Sequence, residues 1–208
     1  MPGERLEVMM IGFTQQNLVE LFAQIPIPAI MASGFPEAKI NGLTNDSRAI
    51  QPGFLFVAQV GGTSDGHQYI PQAIKNGAAA VVGTRELKDV MVPYIRVKDS
   101  REALAYLSAA FYGFPARRLT VIGVTGTDGK TTTANLIYQI LLAAGIRVGI
   151  ISTINALVGG EILDTGLHVT TPEAPYIQRY LARMLSAGLT HVVLESTSHG
   201  LAQHRVTG

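Results

Sequence analysis

At 208 residues and a net charge of +1, the chain has room for one large domain or two of about 100 residues each, and its near-neutral balance argues against a broad nucleic-acid or anionic-membrane surface. Apolar residues make up 47% of it and charged residues 15%, proportions of a well-buried α/β protein that exclude a disordered chain. The lack of cysteine excludes disulfides, thiolate catalysis and Cys-based zinc sites, and is compatible with a reducing cytoplasm.

In chain order, Asn17 to Ala23 reads as a helix and Ile25-Pro26-Ile27-Pro28 as an extended segment. From Ile40 onward, short apolar runs alternate with helical patterns. Phe54 to Ala58 reads as a strand, and Ile70 to Asn76 as a short helix closed by Gly77. Ala78–Val82 and Tyr94–Val97 are strands. Asp99 and Glu102 form a capping pair for a helix with Ala103, Leu104, Leu107 and Phe111 on one face, ended by Gly113. Phe114 to Arg118 reads as a linker, which sets a domain boundary between residues 115 and 116.

The second domain opens with a strand at Leu119–Val124. A helix over Thr131–Ala144 follows, terminated by Gly145, and then a strand over Val148–Ser152. The apolar stretch from Leu136 to Val158 is broken by Arg147 and several polar residues, so it is not a membrane span. Thr171-Pro172-Glu173 reads as a helix start, with Thr171 as N-cap and Pro172 at the first position. That helix ends near Ala187–Gly188, and His191–Glu195 is a further strand. Strand–helix alternation predicts a parallel sheet with right-handed crossovers. Ligands then gather at the strands' carboxyl ends, where Ser152-Thr153, Thr170-Thr171 and Glu195 lie.

The strongest chemical signal is Val121-Ile-Gly-Val-Thr-Gly-Thr-Asp-Gly-Lys-Thr-Thr-Thr133. A β-branched run of the kind found in buried parallel strands leads into a glycine-rich loop and then a helix. Gly126 and Gly129 allow successive N–H groups to converge on one anion. Lys130 adds a point charge, and the Thr131 hydroxyl suits the Mg²⁺ that accompanies a triphosphate. Val124 stands where the strict phosphate-loop pattern has its first glycine.

Together with this loop, several segments resemble the Mur ligases, and among them the UDP-N-acetylmuramoyl-tripeptide synthetases of the MurE type. They are Asn45-Asp-Ser-Arg48, Pro52-Gly-Phe-Leu-Phe-Val-Ala58, Asp65-Gly-His67, Thr170-Thr-Pro-Glu173, and Glu195-Ser-Thr-Ser-His-Gly-Leu-Ala-Gln-His-Arg-Val206. The resemblance implies an α/β uridine-nucleotide-binding domain over residues 1–115, followed by part of a P-loop-type parallel-sheet ATP-binding domain over 116–208. It implies a cytoplasmic ligase of peptidoglycan synthesis that uses ATP and Mg²⁺. Such an enzyme adds the third amino acid to UDP-MurNAc-L-Ala-D-Glu through an acyl phosphate, with no nucleic-acid or membrane partner.

By this resemblance, Thr125, Gly126, Thr127, Asp128, Gly129, Lys130, Thr131 and Thr132 bind ATP, with Lys130 the catalytic cation. Thr131 and Glu195 hold the metal. Asp46, Ser47 and Gly62, the last offering backbone N–H beside Gly61, bind the uridine diphosphate end. Thr170, Thr171, Thr197, Gln203 and Arg205 bind the muramyl-peptide end, Arg205 by pairing with a carboxylate or phosphate. Asp128 stands where the family more usually has Asn, and Thr197 where it has Ser. The resemblance also places the adenine-binding residues, an activating lysine and the amino-acid pocket beyond Gly208, so the 208 residues are expected to bind without ligating. The five histidines read as structural, with His199 ordering its loop. Glu195 alone reads equally as a solvated strand end, Asn-Asp-Ser as an ordinary polar turn, and Thr171 as no more than a helix cap. A sister Mur ligase, a folylpolyglutamate- or cyanophycin-synthetase relative, a non-catalytic nucleotide-sugar module and a small-molecule kinase are the competing readings.

Overall fold

The computed structural model describes residues 15–30, 37–62, 64–152, 156–159, 161–163 and 171–208. The chain divides into two units, Met1–Gln24 with Pro28–Ser100, and Ile25–Ile27 with Arg101–Gly208. This division falls fifteen residues before the boundary expected from the Pro115 break, because packing rather than a local helix stop defines it.

In the first unit, β1 (Gln16–Asn17) pairs antiparallel with β2 (Lys39–Ile40). Asn17 caps α1 (Leu18–Ala23), its Oδ1 accepting from the Val19 amide at 2.8 Å. A parallel four-stranded sheet follows, in the order β3 (Gly42–Thr44), β4 (Phe54–Val57), β5 (Ala78–Gly83), β6 (Tyr94–Arg96). Leu55, Phe56 and Val57 are all buried, the unbroken apolar run of a strand covered on both faces. Helix α2 (Ile70–Lys75) ends at Gly77, whose φ of +100° is the left-handed closure that the sequence predicts.

A polar knot ties the carboxyl ends of β4 and β5. Asp65 Oδ1 accepts from the His67 amide at 3.0 Å and meets His67 Nδ1 at 2.5 Å. The Thr84 amide donates to His67 Nε2 at 2.9 Å, which assigns the ring proton to Nδ1. Arg85 pairs with the other Asp65 oxygen, and the Tyr94 hydroxyl donates to the Arg85 carbonyl at 2.7 Å. His67 is therefore structural, as its sequence context suggests. A Cβ at Gly83 would sit 2.5 Å from the Tyr94 oxygen and 2.7 Å from His67 Nε2, so the knot requires glycine there.

Helix α3 (Ser100–Phe111) lies in the second unit from Arg101 onward. Gly113 (φ +72°) closes it, and Phe114 is left-handed. The expected linker is instead a 3-10 turn over Pro115–Arg118, with Pro115 buried and Arg117 stacked 3.8 Å from the Phe114 ring centroid. Then come β7 (Thr120–Val124), α4 (Lys130–Ala143), β8 (Val148–Ile151), β9 (Ala156–Val158), β10 (Glu161–Leu163), α5 (Ala174–Ser186), β11 (His191–Glu195) and α6 (Ser198–Ala202). The sheet runs β10-β9-β8-β11-β7. Its β8, β11 and β7 are parallel, as expected, whereas β9 and β10 form an antiparallel hairpin that the sequence reading did not foresee. Gly159-Gly160 between two apolar runs was the available signal.

One face of this sheet packs Ile151, Val192 and Leu194 against Ile177, Leu181 and Met184 of α5. The other packs Val124, Val148, Ile150 and Val193 against Ala134 of α4. Alternate residues of β8 and β11 thus feed opposite cores. The expectation that β7 is buried is corrected, because β7 ends the described sheet order and Val121 is 39% exposed. The start of α5 is corrected too: Glu173, not Thr171, is the N-cap residue, and Pro175 rather than Pro172 lies in the first turn.

The Asp65 carboxyl lies below its ordinary value of 3.8, first because the His67 backbone donates to it. A lowered carboxyl adds stability that is present above about pH 4 and lost as pH falls through the lowered value. Asp65→Asn is expected to lower the melting temperature at pH 7, and to flatten the fall in melting temperature between pH 5 and pH 2.5 that the unmodified chain shows.

Candidate functional site

The phosphate-loop residues Thr125, Gly126, Thr127, Asp128 and Gly129 are all exposed. Gly126 (φ +153°) and Gly129 (φ +72°) hold backbone that side-chain-bearing residues rarely adopt. Gly129 is the N-cap of α4 and has no side chain to accept from the first-turn amides. Those amides lie at the positive end of a helix, where negative charge is favoured. Lys130 Nζ folds over the loop, donating to the carbonyls of Gly126 (2.9 Å) and Thr127 (3.0 Å).

Strand pairing supplies the partner for this loop. In the parallel β7–β11 ladder, Glu195 stands opposite Val124, and the ladder extends one residue further, with the Ser196 amide donating to the Val124 carbonyl at 2.9 Å. Thr131 Oγ1 donates to Glu195 Oε1 at 2.9 Å across 64 residues of sequence. Glu195 is 1% exposed, which overturns the reading of it as a solvated strand terminus. A buried carboxylate and a hydroxyl sharing one point, beside a cation and a glycine-capped helix start, are the hard oxygen donors that Mg²⁺ takes.

The sequence-predicted residues Thr171, Thr197, Gln203 and Arg205 also come together, whereas Thr170 lies outside the described residues. Thr171 does not cap its helix; its Oγ1 accepts from the Thr197 amide at 3.0 Å and lies 3.3 Å from Thr197 Oγ1. Thr197 caps α6 through the Gly200 amide at 2.9 Å. Arg205 is engaged on three sides, with Nε to Gln203 Oε1 (3.0 Å), Nη1 to the Thr171 carbonyl (2.6 Å) and Nη2 to Glu173 Oε1 (2.9 Å). Glu173, which in sequence belongs to a helix start and to the Thr170–Glu173 segment, is the Arg205 partner that no local pattern indicates.

In the first unit, Asp46 and Ser47 follow β3, while Gly61 and Gly62 follow β4. Asn45 Nδ2 joins the two loops by donating to Gln59 Oε1 at 3.1 Å, and Asn76 Nδ2 holds the Ser47 carbonyl at 2.9 Å. Asn45 belongs to the Asn45–Arg48 segment, whereas nothing local in the sequence indicates the Gln59 and Asn76 contacts. Asp46 accepts from Arg48 Nε (2.9 Å) and Nη2 (2.8 Å), and the Arg48 hydrogen bond is the main reason its carboxyl lies below the ordinary range. The Gly61 amide donates to the Ser64 carbonyl at 2.8 Å, so it is engaged within its loop and not offered outward. Gly62 faces open space.

Two family profiles match the chain: "Mur ligase family, catalytic domain" over residues 39–112 and "Mur ligase middle domain" over residues 124–208. The chain belongs to the Mur ligase family. It is 46% identical over 188 residues to a UDP-N-acetylmuramyl-tripeptide synthetase of Roseiflexus sp. (strain RS-1), covering 89% of this chain and 36% of that protein. It is 43% identical to a UDP-N-acetylmuramoyl-L-alanyl-D-glutamate–2,6-diaminopimelate ligase of Chlorobium phaeobacteroides, covering 92% and 38%. The chain thus spans little more than a third of the length of these curated relatives.

A solved UDP-N-acetylmuramoyl-L-alanyl-D-glutamate–2,6-diaminopimelate ligase superposes with a TM-score of 0.74 at 24% identity, covering 94% of this chain and 38% of that one. A UDP-N-acetylmuramoylalanyl-D-glutamyl-2,6-diaminopimelate–D-alanyl-D-alanyl ligase of Acinetobacter baumannii gives 0.60 at 22%, covering 90% and 37%. Both likenesses establish the fold of this Mur-family chain. Among the described residues, no helix is long and apolar enough to cross a membrane.

Gly200 packs against the threonine lock: a Cβ there would lie 2.8 Å from three Thr171 side-chain atoms. Gly200→Ala is expected to cost about 1–3 kcal/mol, read as a lower urea midpoint with an unchanged slope.

Proposed function

We propose that this chain is the uridine-nucleotide and ATP-binding part of a cytoplasmic amide ligase of peptidoglycan precursor synthesis. The ligase adds the third amino acid to UDP-MurNAc-L-Ala-D-Glu. The observation that carries the reading is the Thr131–Glu195 contact at the carboxyl ends of β7 and β11, beside Lys130. The names of the relatives from Roseiflexus and Chlorobium support the substrate. Only the second specifies an amino acid, so the reading stops at a third residue of unstated identity.

Residues 1–115 are assigned as the uridine domain, with Asp46, Ser47 and Gly62 in contact with the nucleotide, and 116–208 as ATP-binding. Thr125 to Thr132 hold the triphosphate: the α4 amides and Lys130 neutralise its charge, and Lys130 exchanges its loop carbonyls for phosphate oxygens. Thr131 and Glu195 would hold Mg²⁺, which supplies charge neutralisation at the phosphates. Thr170, Thr171, Thr197, Gln203 and Arg205 are assigned to the muramyl-peptide. In the whole enzyme, a D-Glu carboxylate oxygen attacks the γ-phosphorus and ADP leaves. The incoming amine then displaces phosphate from the acyl phosphate, giving the amide.

Calorimetric titration of the chain with UDP-MurNAc-L-Ala-D-Glu, UDP and Mg·ATP tests this reading. Tighter binding of the dipeptide nucleotide than of UDP is expected, and binding of neither uridine ligand would overturn the substrate assignment. Glu195→Gln is expected to weaken Mg·ATP by about tenfold or more while leaving UDP binding unchanged.

A further inference from the structure

Arg205 already holds a carboxylate. Its Nη2 pairs with Glu173 Oε1 at 2.9 Å, and the two side chains are only 16% and 25% exposed. Glu173 stands at the N-cap of α5, yet its side chain makes no cap hydrogen bond. The usual cap hydrogen bond of an acid at that position is therefore absent, and its partner is the arginine 32 residues further along the chain. The guanidinium does not depend on Glu173 for its orientation, because Nε is fixed by Gln203 Oε1 and Nη1 by the Thr171 carbonyl. Glu173 thus neutralises the one edge of the fork that the neutral acceptors leave.

We infer that Glu173 is a resident counter-ion at Arg205, displaced by a carboxylate of the incoming ligand, and that it thereby sets a charge requirement on that ligand. This rests on the reading of Arg205 as a contact to the muramyl-peptide. A ligand without a carboxylate gives Arg205 no reason to change partner, whereas a dicarboxylate such as a D-Glu residue replaces Glu173 at Nη2 while Nε and Nη1 keep their anchors. The exchange trades one charge-assisted hydrogen bond for another. Its cost is the repulsion between Glu173 and the ligand's own negative charge, partly screened by solvent at this depth.

Glu173→Gln tests this directly, since the amide oxygen keeps a hydrogen bond to Arg205 and removes only the charge. UDP-MurNAc-L-Ala-D-Glu is expected to bind the variant about three- to tenfold more tightly than the unmodified chain. UDP, and an analogue with both D-Glu carboxylates converted to carboxamides, are expected to bind the two chains equally. Equal or weaker binding of the dicarboxylate ligand by the variant would overturn the exchange. A gain shared by the diamide would overturn it as well, since that gain would come from the diphosphate.

Arg205→Gln separates the two levels. Loss of dicarboxylate affinity in that variant, with no gain in Glu173→Gln, rejects the exchange and leaves Arg205 as a substrate contact. Unchanged affinity in Arg205→Gln rejects the contact itself. In the unmodified chain, the Arg205 Nη–H resonances are expected to shift on adding the dicarboxylate ligand while Nε–H stays in place. A fixed Nη signal at saturation would contradict the proposal without any variant.

Discussion

Parallel pairing of Thr120–Val124 with His191–Glu195 brings the glycine-rich loop after β7 and the buried Glu195 side chain together. The strands lie about seventy residues apart in sequence. The ladder sets Val124 opposite Glu195. From that register it follows that the first hydroxyl of α4 meets a buried carboxylate. Burying an anion costs free energy unless it is hydrogen-bonded, and Thr131 supplies that bond at 2.9 Å. The Thr131 hydroxyl and the Glu195 carboxyl thus hold each other in place, much as Lys130 rests on loop carbonyls.

The same economy of polar groups recurs away from the phosphates. Thr171, Thr197 and Gly200 close on one another at the start of α6, and Arg205 binds back to Thr171 and Glu173. The segment that begins at Glu195 is therefore anchored at two further points to the residues preceding α5. In the first unit, Asp65 and His67 do comparable work, joining the loops after β4 and β5. These loops are held by side chains because they lie beyond the reach of the strand ladders.

Much of this was legible in the sequence. The glycines at 77, 113, 145 and 188 marked helix ends correctly, and all four have positive φ. The phosphate loop announced itself through the residue types its backbone demands. Features that depend on distant partners were not legible. Thr171 reads as a helix cap because Thr-Pro-Glu is good capping chemistry, yet its hydroxyl is taken by Thr197, 26 residues away. Pro115 reads as a linker breaker, yet it is buried in a 3-10 turn. Val121 reads as a buried strand residue, although its exposure depends on what lies beside β7, which no local pattern encodes.

The central claim is that Thr131 and Glu195 hold the metal of a bound nucleotide beside the α4 amides. Paramagnetic broadening of backbone amide resonances by Mn·ATP tests it most directly. The account predicts that signals of Gly126–Thr132 and Glu195–Thr197 disappear first, while those of Asp46–Arg48 and Gly62 persist. Broadening centred elsewhere, with the loop and Glu195 signals intact, would contradict it.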